Sequence, residues 1–524
     1  VQQGRNSRPS LPYGRLVSKF FTQMTRFFLL LLAAGPILAW AKKPNVLFII
    51  ADDQAPRSIG GVNNPEIKTP NLDRLAKQGV LFSHCFNQGS WSGAVCVASR
   101  TMLITGQSVF KAPANKAYLD KWANSRGAIA VKQSTEAKLW PEVFREAGYD
   151  TFLTGKWHNN HHSALKGFSQ AKGIAKGMYE TLDPSGSKKP GYDRPTPQNN
   201  HWKPWERKFT GHWAPFVRDI VKKDGSNQIG NEYTVHKHSS ELFADNAVEF
   251  LSKKEDSDKP FFMYVAFNAP HDPRQAPKKF VDMYPSKKIA IPENYLPEHP
   301  FDNGAIKIRD EVLAPFPRTK EIVQVHRSEY YAIITHMDKE IGRILKALKK
   351  SGQADNTYVI FTADHGLSVG QHGLMGKQNP YEHSIRMPFM ISGPGIEKGA
   401  TVDNKIYMQS VYPTTCELAG LKVPESVDYP SILPLVKGEG KGGEEVIFNA
   451  YIETQRLVRT DRYKLVHYPK IGRNQLFDLK EDPHETKDLI KDPKLEKVKQ
   501  RLLATLRKKR MELGDGMLSG AEGK

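Results

Sequence analysis

The chain has 524 residues, of which 39% are hydrophobic, 10% aromatic and 25% charged, which excludes a disordered or low-complexity protein. Three cysteines exclude a disulfide-stapled mini-scaffold. A net charge of +20 favours anionic partners (nucleic acid, acidic lipid, or a sulfated or carboxylated polymer) without choosing among them.

Arg26 followed by the apolar run Phe27–Leu38 and the small-residue stretch ending at Ala41 reads as a secretory signal peptide. Met24 would be its natural start, with residues 1–23 an over-extended reading frame. The run is short for a membrane span, and no stable membrane insertion is expected. The expectation is cleavage near Ala41 and a secreted or periplasmic protein.

Asn45–Ala51 (NVLFIIA) is a continuous β-branched run, as in a strand buried on both faces, and it ends in Asp52-Asp53. Thr69–Gly79 reads as a helix with Thr at the N-cap, Pro in the first turn and a closing Gly. Leu139–Ala147 reads as a helix and Tyr149–Thr154 as the next strand. Residues 159–236 are rich in Gly, Pro, Asn, Lys and Trp and read as a long insertion of the kind that lines clefts. Glu241–Lys253 (helix), Pro260–Phe267 (strand), Arg327–Lys350 (helix) and Thr357–Thr362 (strand) follow, the last ending in Asp364-His365. Strands alternating with helices predict an α/β fold with a large, mostly parallel central sheet flanked by helices. Beyond residue 420, Val446–Ile452, Arg456–His467 and Gln475–Leu479 predict antiparallel strands packed by the basic helix Pro493–Leu513. The expected division is 1–41 (leader), 42–420 (catalytic domain with the insertion) and 421–524 (C-terminal subdomain).

Polar clusters fall at the predicted strand ends: Asp52-Asp53, Lys156 to His158, His271 after Ala269-Pro270, and Asp364-His365. A fifth, Cys96 to Arg100, opens a helix. Singly they are ordinary, since paired acids cap helices and a His after Pro usually serves a turn. Together they place three carboxylates and an imidazole on the edge where open α/β sheets bind ligands. That set suits Ca²⁺ or Mg²⁺ better than a thiolate zinc site, and the nearby Lys and Arg side chains would hold a polyanion.

Cys96-Val-Ala-Ser99-Arg100, continued to Thr105-Gly106, resembles the sulfatase signature. Gly148-Tyr-Asp-Thr151 leading to Gly155-Lys156-Trp157-His158 resembles a second signature of that family, with Thr154 where a small apolar residue is usual. Asp52-Asp53, Ala269-Pro270-His271, Asp364-His365-Gly366 and Gly376-Lys377 match in the family's order. Gly370–Gly373 through Tyr381–Ser384 is most similar to the iduronate- and choline-sulfatase branch. The resemblance, which spans residues 44 to 480, implies an alkaline-phosphatase-like fold.

It also implies that Cys96 is oxidised to Cα-formylglycine (3-oxoalanine) by a maturation enzyme that reads Cys96, Ser99 and Arg100. The aldehyde hydrate would attack the sulfur of a sulfate ester and then expel sulfate by re-forming the carbonyl, a release that serine could not offer. Asp52, Asp53, Asp364, His365 and the modified Cys96 would hold the metal, Ca²⁺ in preference to Mg²⁺. Lys156 and Lys377 would clamp the sulfate. His158 would act as base, His271 as acid for the leaving alcohol, and Arg100 would orient the nucleophile and the metal carboxylates. The implied substrate is a sulfate ester, with the basic charge favouring a sulfated glycan. Alternatives are a phosphonate monoester or phosphodiester hydrolase of the same superfamily, and an inactive lectin for sulfated polymer. Nucleic acid is disfavoured by the lack of a recognition motif and by export. His372, Glu382, His383 and Arg386 are further candidates for the substrate pocket. Cys85 and Cys416 read as packing thiols or a disulfide.

Overall fold

The computed structural model describes residues 42–114, 137–176, 202–255 and 257–516, together with positions 1 and 4. The segment read as a signal peptide and residues 177–201 of the insertion lie outside them. In chain order the elements that build the site are β1 (Asn45–Ala51), α1 (Pro70–Gln78), β2 (Val80–Phe86), α2 (Val95–Thr105), β3 (Asp150–Lys156) and β4 (Gln170–Ala175). They continue with α3 (Ser239–Ser252), β5 (Phe261–Ala266), α4 (Lys320–Lys350), β6 (Thr357–Ala363) and β7 (Arg386–Ser392).

Across the main sheet the order is β2-β7-β6-β1-β5-β3-β4, extended by Ala400–Val402 beyond β2 and by Phe216–Arg218 and Tyr233–Thr234 beyond β4. The five strands from β6 to β4 are parallel, and β7 is antiparallel to both of its neighbours. Every residue of β1, β5 and β6 is buried. Helices cover both faces, so these strands are apolar throughout rather than alternating. On one face Trp140 packs edge-on against Phe48 and Phe262, with ring centroids 4.8 and 5.0 Å apart, while its indole N–H donates to Thr415 Oγ1.

A second sheet has the order Arg473–Asp478, Tyr463–Tyr468, Gln455–Arg459, Ile447–Tyr451, Gly89–Ser90, and its first four strands are antiparallel. Leu502 and Leu506 of the helix Glu496–Leu513 pack on it against Val458, Leu465 and Leu476. Its edge strand Gly89–Ser90 comes from the segment just before α2 and pairs in parallel with Ala450 and Tyr451. Among the described residues, no helix is long and apolar enough to cross a membrane.

Four local expectations change. The stretch 159–236 is not irregular throughout, because β4 joins the main sheet and Phe216–Arg218 extends it. The strand expected over Arg456–His467 is two strands, since Thr460 closes a turn by donating its N–H to Tyr463 O. Helix α4 begins at Lys320 rather than Arg327, capped by Thr319 Oγ1, which accepts from the Ile322 N–H at 3.3 Å. Thr69 does not cap α1 with its hydroxyl, which instead donates to Asp73 and accepts from the Gly60 N–H.

The open amides of α1 are held by a residue far along the chain. Asp338 of α4, 1% exposed, accepts from the Leu72 N–H at 2.8 Å and from the Asn71 N–H at 3.2 Å. This carboxylate pins α1 to α4, and Asp338→Asn would turn an NH₂ toward one of those amides. The expected loss is about 1–3 kcal/mol in denaturant unfolding, the cost of a buried unsatisfied donor.

Candidate active site

Sheet register brings the polar strand ends together. Ile50 of β1 stands beside Ala266 of β5 and Ala51 beside Ala363 of β6, while Gly155 of β3 flanks Ala266 on its other side. The residues that follow, Asp52-Asp53, Asp364-His365, Lys156 and the 267–271 turn, therefore leave the same edge side by side. Backbone bonds interlock them: Asp52 N–H donates to Ala269 O at 3.0 Å and Asp364 N–H to Ala51 O at 3.2 Å. Gly155 has φ +95°, and a Cβ there would stand 1.8 Å from Ala266 O, so only glycine lets β3 lie this close while delivering Lys156. Asp53 and His158 are also in the left-handed region, at φ +68° and +55°, a strain that clusters at functional sites.

Cys96 lies in the first turn of α2, buried at 2% exposure. Its Sγ is 3.1 Å from His365 Nε2, 3.3 Å from Lys377 Nζ and 3.7 Å from Asp53 Oδ1. One helical turn on, Arg100 reaches the same cluster: Nε donates to Asp364 Oδ2 at 3.0 Å, Nη1 to Lys156 O at 2.6 Å, and Nη2 lies 3.7 Å from Asp52 Oδ1. Lys156 pairs with Asp52, and Lys377 Nζ donates to both Asp53 oxygens at 2.8 and 2.9 Å. His365 Nε2 sits 3.2 Å from Asp53 and 3.5 Å from Asp364. His271 Nε2 stands 3.8 Å from Asp53 Oδ2, and its Nδ1 faces Asp272 O at 2.8 Å. Nine of the ten expected site residues thus form one contacting cluster. His158 follows Lys156 at its rim, half-buried, with no hydrogen-bond partner for Nδ1.

The electrostatics follow from burial and pairing. Burial, then Asp364, hold Asp52 well above the ordinary carboxylate range despite Lys156. Burial works against ionised Asp364 too, but His365 and Arg100 outweigh it and hold its carboxyl well below that range. His365, between carboxylates and the thiol, is raised to about 9 against its burial. Burial opposes the Cys96 thiolate, but Lys156, Lys377 and His365 prevail and bring it down to about 5. Burial pushes His158 and His271 well below the ordinary imidazole value.

The cluster fits a metal ion. Asp52, Cys96, Asp364 and His365 each offer a ligand atom within 4.8 Å of the others, as do Asp52, Asp53, Cys96 and His271. Asp52 Oδ1 is a buried oxygen with no hydrogen-bond partner. Several buried carboxylates around one point, with an oxygen left over, form the donor set of a hard cation.

Three residues escaped sequence reasoning. Arg309 pairs with Asp272 and donates to Asp310 Oδ1 at 2.6 Å, while Asp310 Oδ2 lies 3.7 Å from Lys377 Nζ. This chain joins the turn bearing His271 to Lys377. Asp272 had only its position beside His271 to mark it, and Arg309-Asp310 lie in an aperiodic loop. Glu382, His383 and Arg386 line a cavity of about 670 Å³ whose wall also includes Ala55, Tyr330 and Leu367. His372 stacks on Tyr381 at 3.8 Å and does not line that cavity. Cys85 and Cys416 are free, buried thiols rather than a disulfide.

Residues 44–421 match the family model described as Sulfatase. This chain belongs to the sulfatase family. It is a sulfuric ester hydrolase. Residues 370–512 also match the model for the N-sulphoglucosamine sulphohydrolase C-terminal region. An arylsulfatase of Clostridium perfringens is 28% identical over 461 residues, covering 86% of this chain and 90% of the relative. An ulvan-active sulfatase of Formosa agariphila is 28% identical over 493 residues, covering 90% and 82%. A solved structure in complex with its substrate D-glucosamine-2-N,6-O-disulfate aligns with a TM-score of 0.69 at 21% identity, covering 92% of this chain and all of that one.

In metal-free protein with Cys96 unconverted, thiolate absorbance near 240 nm should titrate with a midpoint near 5 rather than the ordinary 9 and vanish in Cys96→Ala. The sign for stability follows. The folded value is depressed, so the thiolate's contribution is full above pH 9 and is lost as pH falls toward 5.

Proposed function

We propose that this sulfatase removes O-sulfate groups from a sulfated carbohydrate through Cys96 oxidised to formylglycine and a divalent cation, and that it works outside the cytoplasm. The observation that carries the reading is Cys96 in the first turn of α2, within 3.3 Å of both His365 and Lys377 and 3.7 Å from Asp53. A carbohydrate substrate is supported by the ulvan-active relative, the disulfated glucosamine bound by the structural neighbour, and the charge of +20.

Asp52, Asp53, Asp364 and His365, with residue 96, would hold the cation. Ca²⁺ is preferred because Mg²⁺ keeps several waters and rarely takes a dedicated protein cage. When bound, it offsets the charge on the sulfate and acidifies the hydroxyl of residue 96. Hydrated formylglycine would supply one hydroxyl that loses its proton and bonds to sulfur as the ester S–O bond breaks, the departing oxygen taking a proton from His271, and a second hydroxyl whose deprotonation would release sulfate and restore the aldehyde.

The remaining work falls to the chain's own side chains. Lys156 and Lys377 reach the cluster on separate carboxylates and would hold sulfate oxygens. Arg100 fixes Asp364 and the Lys156 carbonyl, and so positions the carboxylates relative to α2. His158, with Nδ1 unpartnered and its ring held neutral by burial, would take the proton of the second hydroxyl. His271 has Nδ1 held against Asp272 O, which turns Nε2 toward Asp53 and the reacting centre. Its role requires the protonated ring; burial, with Lys377, Lys156 and Arg309, outweighs Asp53 and holds the ring neutral in the free site, so it would take up its proton only as the anionic substrate binds.

Cys96→Ala should abolish sulfate release while leaving the circular dichroism spectrum and melting temperature near those of the parent. A mass spectrum of the parent's Cys96 peptide should show the aldehyde. An active Cys96→Ala enzyme would remove the assigned nucleophile. A phosphonate monoester turned over faster than any sulfate ester would move the chain to the alternative hydrolase class.

His271→Ala should lower turnover of alkyl sulfates by about 10²–10⁴-fold and that of activated aryl sulfates far less, because a good leaving group needs no proton. Equal losses on both substrates would reassign His271.

A further inference from the structure

Away from the Cys96 cluster, α3 and α4 bring a second set of ligand-type side chains together. His336 and Glu340 lie four residues apart on α4 and so share one face, and Glu241 stands in the first turn of α3. His336 Nε2 is 3.4 Å from Glu241 Oε1 and 3.8 Å from Glu340 Oε1. All three ligand atoms lie within 4.8 Å of one another.

His336 is fully buried, yet neither of its ring nitrogens has a hydrogen-bond partner. A buried imidazole with both nitrogens idle is costly, and such groups call for an explanation. The ring cannot turn away easily. It stacks on Phe280 at 5.0 Å and meets the edge of His238 at 4.4 Å. Burial, with Lys339 and His212 alongside, pushes it down to about 3, so it is neutral at neutral pH and keeps a lone pair. Glu340 is fully buried and already holds Lys339 at 2.9 Å and Arg343 at 2.6 Å. Lys339 is half-exposed, and such a pair is weak enough to yield to a stronger cation. Glu241, 27% exposed at its side chain, leaves a path from solvent.

We propose that Glu241, His336 and Glu340 form a second, structural site for a divalent transition cation, Zn²⁺ by ligand chemistry, that clamps α3 to α4. One imidazole and two carboxylates are too few and too nitrogenous for Ca²⁺, which takes six to eight oxygens, and they suit Zn²⁺ with water in the remaining position. Adjacent ligands on an ion with bonds of about 2.1 Å stand about 3.0–3.4 Å apart, so the observed separations need only side-chain adjustment. The site has a structural connection to the chemistry. His336 abuts His238, His238 stacks on His212 at 5.3 Å, and His212 Nε2 meets His271 O at 3.0 Å. A cation here would brace the wall behind the His271 turn without touching the reacting atoms.

The test uses the full chain in saturating CaCl₂, titrated with ZnCl₂ by calorimetry, alongside His336→Phe and Glu241→Gln. Phenylalanine keeps the stacked ring, and Glu241 is exposed enough for its variant to fold. The expected result is one Zn²⁺ per parent chain, a melting temperature raised by Zn²⁺, and affinity lower by roughly tenfold or more in both variants. Zinc-edge anomalous scattering should place the ion between the three residues. Without Zn²⁺, His336→Phe should retain sulfatase activity. No Zn²⁺ uptake by the parent, or equal uptake by all three proteins (an adventitious ion only), would overturn the site. Failure here would leave the reading of Cys96 untouched.

Discussion

Three carboxylates taken out of water at one point set the terms for the rest of the structure. Asp52, Asp53 and Asp364 are at most 2% exposed. Isolated buried charges of one sign are prohibitively costly, so the fold must bring cations to them. It does so from three separate segments: Arg100 from α2, Lys156 from the end of β3, and Lys377 from the loop after β6. Under the proposed function Lys156 and Lys377 would also hold the sulfate, so part of the charge balance that lets the site fold would be the charge pattern that binds substrate. A substitution that removes either lysine should disturb both, and loss of activity alone cannot separate the two roles.

The central strands, covered by helices on both faces, leave all the charge to their ends. Strands β1, β5 and β6 carry no charge within the sheet, and the polar residues begin only where the strands stop. Parallel register then converts sequence position into spatial proximity. Residues that follow strand ends on neighbouring strands must emerge together, whatever their separation along the chain. Asp53 and Asp364 are 311 positions apart, yet the Asp53 N–H donates to Asp364 Oδ1 at 3.2 Å. Tyr330 of α4 adds a clamp from outside the sheet, donating its hydroxyl hydrogen to Asp53 O at 2.6 Å and accepting from the Ala55 N–H at 2.8 Å. The left-handed φ of Asp53 is held by these bonds on either side of it.

The same logic separates what was legible in the sequence from what was not. Apolar runs ending in acidic or histidine residues announced the strands and their functional ends, because both signals are local. The helix opening at Val95 was legible through the signature around Cys96. Arg309 and Asp310 were not legible, because their role depends on a loop folding back to Asp272 and Lys377, and no periodicity marks that path. Strand β4 was hidden for a related reason. Its sequence, QAKGIA, alternates weakly and contains a glycine, and its place in the sheet comes from pairing with β3 rather than from propensity. Thr69 looked like a helix cap by type. Asp338, from a distant helix, took two of the amides at that end, an override that one sequence window cannot contain.

The Cys96 environment also bears on why a cysteine could persist there at all. Cys85 and Cys416 are buried, and burial raises both, Cys416 to about 12, so they stay protonated and inert. Cys96 is as deeply buried but is driven the other way by Lys156, Lys377 and His365. Packing has no use for a thiolate, which is a poor tenant of an apolar core. A cationic pocket that stabilises negative charge on the side chain of residue 96 equally stabilises an oxygen anion at that position. The surroundings of Cys96 are thus built for a charged atom on its side chain, and the thiol reports that field before any modification occurs.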